Sequence, residues 1–207
     1  MNKKNISLAS LIDFLSVYNF KSLDINFDEI QERLDFYDKV TKSEIKCVLS
    51  EYFVEKSLYE SGFVFFSKDD VPTSNYDIFQ NNHNLKFYRG SSPVFEFDFL
   101  GTYKDDLFIV ESKSNSLKKY DVNKLDYLVK CVEKLFGERV NFLFLASFKN
   151  KDFFNNFSQS WDSHDSIGVV DMGFSKQDYD VLIKDYFVWK NGDSFDESNS
   201  ILRRIKS

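Results

Sequence analysis

The amino-acid sequence predicts an α/β protein in which a mixed central β-sheet is flanked by helices. Three observations carry that expectation. Two runs, residues 140–146 (VNFLFLA) and 167–172 (IGVVDM), are almost wholly apolar, the pattern of strands covered on both faces. Helical stripes of apolar residues flank them, over residues 42–61 and 122–136 before the first run and 175–186 after the second. Between the first two stripes lies the stretch 95–113 (FEFDFLGTYKDDLFIVESK), whose two-residue alternation around a polar turn predicts a hairpin.

In chain order, Leu8, Leu11, Ile12, Leu15 and Tyr18 place a helix over residues 8–20. Ile30, Leu34 and Tyr37 place another over 27–40, with Asp28 and Glu29 suited to its first turn. Together they form an N-terminal helical extension, residues 1–41, that packs on the core or on a partner and carries no chemistry of its own. The third helix, 42–61, starts at a Thr41 or Ser43 cap and stops before Gly62, a residue suited to a left-handed C-terminal cap. Glu51 and Glu55 stand one turn apart on a common side of it.

Residues 63–66 (FVFF) read as a short buried strand. Residues 67–84 are polar, with Pro72 and several Asn, and read as a long loop containing a short helix near 76–79 and a surface His83. A strand at 85–88 then leads into the turn Arg89-Gly90-Ser91-Ser92, where Arg89 is either a phosphate contact or an exposed turn charge. After the hairpin, Lys118-Lys119 forms a basic pair, read either as a phosphate contact or as solvated charge. The helix over 122–136 stops at Gly137, residues 152–161 give a further helix, and Ser175 with Asp178 three residues on forms a capping box for the last one. A polar tail follows, residues 191–207.

At 207 residues, 43% of them hydrophobic and 29% charged, the chain is most simply one folded domain. Its formal net charge of −6 gives no global attraction to nucleic acid, so any such contact needs a local basic surface or a partner. The 24 Phe read as compositional bias rather than a binding platform. No apolar run is long enough to span a membrane, and MNKKNIS lacks the apolar core of a signal peptide behind it. Cys47 and Cys131 fall in predicted helices without metal-ligand spacing, so a cytoplasmic protein with reduced thiols is expected. No Gly-rich phosphate loop, zinc spacing or Ser/His/Asp arrangement is present, and the only histidines are His83 and His164.

The chemistry lies at the open end of the hairpin. A two-residue turn at Lys104-Asp105 sets Glu111 opposite Asp98, with Lys113 on the same face as Glu111. Opposed like charges repel, and a slip of one residue would instead bring Ser112 opposite Asp98 and turn Glu111 away. Two carboxylates and an ammonium at the end of apolar strands need compensation, which a divalent cation supplies.

Asp98, a spacer of twelve residues, then Glu111-Ser112-Lys113 resembles the PD-(D/E)xK nuclease superfamily, with Phe97 where a proline is usual. The tract from the hairpin to Phe148 also resembles nuclease domains of prokaryotic defence proteins. The resemblance implies a restriction-endonuclease-like αβββαβ core over residues 42–148, inside a domain of residues 42–190. It implies an endonuclease that hydrolyses phosphodiester bonds, in DNA more than RNA, with Mg²⁺ or Mn²⁺ as cofactor, in a prokaryotic or viral defence or DNA-processing setting. Asp98, Glu111, the Ser112 carbonyl and Glu51 would hold the metal, Glu55 being the second choice for the helix carboxylate. Lys113, kept protonated by the carboxylates, would orient the attacking water and stabilise developing charge. Lys118, Lys119 and Arg89 would contact nucleic acid, and a homodimer or a partner protein would supply recognition. Two other readings stand beside it: a nuclease-like fold without activity that serves as a binding or assembly subunit, and an accidental grouping of exposed charges on a polar sheet face.

Overall fold

The computed structural model describes residues 6–72, 75–115, 119–147 and 166–192. The chain runs α1 (Ile6–Val17), α2 (Phe27–Leu34), α3 (Lys42–Ser61), β1 (Val64–Phe65), β2 (Asp77–Asn81), β3 (Asn84–Arg89), β4 (Ser92–Phe97), β5 (Phe99–Tyr103), β6 (Asp106–Lys113), α4 (Lys119–Phe136), β7 (Val140–Ala146), β8 (Ile167–Asp171) and α5 (Lys176–Lys190). Five strands form a mixed sheet in the order β1-β5-β6-β7-β8, and β2-β3-β4 form a separate three-stranded sheet. The α/β class expected from the sequence is the class observed.

The central sheet changes direction at β6. On one side β5 pairs antiparallel with it, Phe99 opposite Val110, through a turn in which Lys104 and Asp105 both take positive φ. That backbone is the tight hairpin turn whose twist matches the flanking strands. On the other side β7 pairs parallel with β6, Glu111 opposite Phe144, after the crossover through α4. Phe108 and Val110 point to one core cluster, with α1, α2, α3 and α5; Leu107 and Ile109 point to a second, with α4 and the inner face of the small sheet. The alternation of β6 therefore serves two layers, and its apolar run is the consequence.

Local signals fix most helix ends. Thr41 and Glu44 make a capping box at the start of α3, and Gly62 closes it with φ 86°. Ser175 and Asp178 make a second box at α5. Gly101 is required by close approach: a Cβ there would lie 2.1 Å from the carbonyl oxygen of Val64, on the strand that pairs antiparallel with β5 at that point. Gly168 makes the corresponding room on β8, where an added Cβ would meet Ile12 of α1 at 2.5 Å. The two N-terminal helices thus share the core formed by α3 and α5.

Several elements differ from the sequence expectation. The α2 helix stops at Leu34, and Tyr37 lies beyond it, 41% exposed. The apolar run at 63–66 yields only a two-residue edge strand, with Val64 61% exposed. The region expected as loop and short helix around residues 76–79 is strand β2, hairpinned to β3 through Asn82 at φ 50°. Its alternation is masked because Phe79 faces outward while the polar Gln80 lies on the inward face, opposite Leu85. Most consequentially, residues 95–100 are not one strand: the chain bends at Asp98, so β4 joins the small sheet and β5 the central one. The helix expected at 152–161 and most of the polar tail lie outside the described residues. Among the described residues no helix is long and apolar enough to cross a membrane.

Candidate active site

The site forms where three elements meet: the β4–β5 bend, the end of β6 and the middle of α3. The helix is held along β6 by polar contacts in opposite chain directions. Ser50 and Ser112 hydroxyls lie 2.8 Å apart, Cys47 Sγ is 3.5 Å from Ser114 Oγ, and Lys46 Nζ donates to Asn115 Oδ1 at 2.8 Å. Glu51, next to Ser50, is thereby carried to the level of Glu111.

The bend at Asp98 replaces a strand pairing with a side-chain one. Its Oδ2 accepts the backbone N–H of Ser112 at 2.8 Å. Glu111, 3% exposed, receives Lys113 Nζ on Oε2 at 3.2 Å, while its Oε1 is buried without a hydrogen-bond partner. Ser112 gives its N–H to Asp98 and shares a hydroxyl–hydroxyl hydrogen bond with Ser50, which ties strand to helix.

These carboxylates oppose one another's ionisation. Burial, then the charges of Glu111 and Glu51, hold Asp98 well above the ordinary carboxylate range, against the opposing effect of Lys113 and the Ser112 N–H. Burial also lifts Glu51, to about 7, with Glu96 and Glu111 adding to the rise and Arg33 and Lys113 opposing it. An unfilled buried oxygen on Glu111 beside two carboxylates reluctant to ionise is a cation-deficient arrangement. Its all-oxygen donors suit a hard divalent ion. As they stand, no three His, Cys, Asp or Glu side chains among the described residues are gathered closely enough to enclose one. Glu111 is turned toward Lys113 and Asp98 toward the Ser112 N–H, so enclosing an ion requires those side chains to reorient.

The second candidate on α3 has a different environment. Glu55, 6% exposed, pairs with Arg33 at 2.9 Å, and His83 Nε2 lies 4.0 Å away. Burial lowers the His83 pKa, so the ring is neutral near pH 7, and it stacks on Phe65 at 4.1 Å between centroids. It is a packed ring, unlike the surface residue expected. Arg33 comes from α2, in the segment that the sequence offered no chemistry for; the signal was a lone Arg on an otherwise apolar helix face, legible only once Glu55 is known to be buried. Glu96, bonded to Lys86 at 3.1 Å and Asn84 at 3.0 Å, is likewise a neighbour of the site that the motif did not mark.

Not every candidate is brought together. Arg89 sits at the far end of the β3–β4 hairpin, about 20 Å from Asp98 at the rise of an extended strand. There it lies over Tyr76, 5.4 Å from the ring centroid. Lys118, the side chain of Lys119, and His164 lie outside the described residues.

No protein-family model and no curated protein matches the chain. Among solved structures, the chain is similar to Can2 from Sulfobacillus thermosulfidooxidans in complex with cyclic tetra-adenylate, with 14% identity and a TM-score of 0.38 over 86% of this chain. The match spans 51% of Can2, so this chain covers about half the length of that protein. At that overlap, neither protein's function follows from the other's.

Proposed function

We propose that the protein is a metal-dependent nuclease that hydrolyses phosphodiester bonds, with DNA preferred over RNA. The observation that carries this reading is the buried, unpartnered Oε1 of Glu111 set among Asp98, Glu51 and Lys113. Glu111 is buried and Asp98 and Glu51 half-buried, so holding these carboxylates beside one another without a cation opposes their ionisation. A fold that keeps them together has a use for the cation.

Asp98, Glu111 and Glu51 would hold Mg²⁺ or Mn²⁺, with the Ser112 carbonyl as a further oxygen donor. The bound ion would activate a water and offset charge on the phosphate. Lys113, whose ammonium lies 3.2 Å from Glu111 Oε2, would orient the attacking water and stabilise charge that develops on the phosphoryl oxygens. Water oxygen bonds to phosphorus, the bridging P–O bond breaks, and the departing oxygen takes up a proton. Glu55 and Arg33 hold α3 and α2 together behind Glu51 and do not take part in the chemistry.

The second reading, a nuclease-like fold used for binding or assembly, is favoured by one observation: the carboxylates do not enclose an ion without rearrangement. The two readings separate in a cleavage assay. Wild-type protein with Mn²⁺ is expected to nick or degrade labelled DNA, and Lys113→Ala to lose that activity while still binding the metal. Absence of cleavage on single-stranded, duplex and RNA substrates alike, with metal bound, would leave the assembly reading.

A further inference from the structure

Two of the site carboxylates, Glu51 and Asp98, open onto a cleft of about 260 Å³ between α2–α3 and the outer face of the small sheet. That face is the polar side of β2, β3 and β4, since Leu85, Phe87, Phe95 and Phe97 all point the other way into the core. Phe79, Lys86 and Glu96 lie in register across it. Glu51 and Asp98 are part of the cleft wall.

Two features of the cleft are unlike an ordinary surface. Phe36, Tyr37 and Phe79 line it while remaining 64%, 41% and 52% exposed, so three large rings are left in water around one cavity. Its cations, by contrast, are already engaged: Arg33 with Glu55, and Lys86 with Glu96. A cleft that held a nucleic acid by its phosphates would be lined with uncommitted cations. This one offers ring faces, plus the amides of Asn81 and Asn82. Stacking of bases on aromatic side chains contributes to single-strand binding and is indifferent to sequence. The volume sits just under the roughly 300–1,000 Å³ of small-molecule sites, enough for one nucleotide and too small for a duplex.

We infer that this cleft takes an unpaired nucleotide of the substrate strand, its base stacked on Phe36, Tyr37 and Phe79, next to the phosphate presented to Asp98, Glu51 and Glu111. The inference rests on the nuclease reading and narrows it to substrates with a single-stranded or extrudable nucleotide at the scissile position.

The test is fluorescence anisotropy of a labelled single strand and of its duplex, titrated with the full-length Glu111→Gln variant in Mg²⁺, alongside cleavage of both by wild-type protein in Mn²⁺. The single strand should bind on the order of tenfold more tightly than the duplex. Phe36→Ala and Phe79→Ala in the same background should each weaken it on the order of tenfold, with Phe79→Trp retaining binding. Both rings are exposed, so circular dichroism should show an unchanged fold. Duplex bound and cut as well as single strand, or binding indifferent to both alanine substitutions, would overturn the inference while leaving the nuclease reading intact. No binding and no cleavage of either substrate would sink both.

Discussion

Raising the pH from 5 to 8 in the absence of divalent cations should destabilise this protein through the site carboxylates. Glu51 has its pKa raised from 4.5 to about 7 in the folded state. A carboxylate raised on folding binds its proton more tightly in the native state, so its contribution is best at low pH. Stability is then lost as pH rises from the unfolded value through the folded one, 4.5 to about 7. At about 1.4 kcal/mol per pH unit across that window, Glu51 costs roughly 3 kcal/mol by pH 8. Asp98 acts in the same direction. His83 acts against it: with a lowered pKa it costs stability as pH falls below its unfolded value near 6.5. The informative quantity is therefore the difference between wild type and Glu51→Gln, measured by urea unfolding at several pH values in EDTA. Wild type should lose roughly 3 kcal/mol relative to the variant between pH 5 and 8, and saturating Mg²⁺ should restore most of it at pH 8. Parallel pH profiles for the two proteins would refute the reasoning, because Glu51 would then be solvated and uninvolved.

Three further outcomes follow from the same geometry. Glu111→Gln should lower hydrolysis at least about 100-fold while the fold is kept, as steady-state cleavage and circular dichroism together would show. Arg33→Met leaves Glu55 as an uncompensated buried charge and should cost roughly 3–5 kcal/mol in thermal or urea unfolding, with Arg33→Met/Glu55→Gln recovering most of the loss. Gly101→Ala drives a methyl group into the Val64 carbonyl and the Phe63 ring and should cost roughly 1–3 kcal/mol, with faster amide exchange in β1. A variant as stable as wild type would mean that β1 does not hold to β5 as described.

Much of this architecture could be read along the chain, where each element announces itself locally. The capping boxes at Thr41 and Ser175, the glycine at 62 and the run of β7 all depend on residues within one element. The hairpin register was legible for the same reason: the Lys104-Asp105 turn fixes it, and Phe99 does lie opposite Val110. What was not legible depends on partners remote in sequence. Nothing in the alternation of residues 95–100 marks the bend at Asp98, because each half keeps its own alternation while joining a different sheet. β2 reads as loop because its alternation is mixed: Phe79 faces outward and Gln80 lies on the inward face opposite Leu85. The burial of Glu55, and hence its difference from Glu51, depends on Arg33, 22 positions upstream on a separate helix.

The central claim is that Asp98, Glu111 and Glu51 form one metal site. Titration calorimetry with Mn²⁺ tests it most directly, on wild type, Asp98→Ala and Glu111→Ala, each confirmed folded and each with a non-cleavable oligonucleotide present so that substrate oxygens can complete the site. Binding in wild type that disappears in both variants is the predicted result. Binding that survives in both variants, or is absent from wild type even with the oligonucleotide, would contradict it.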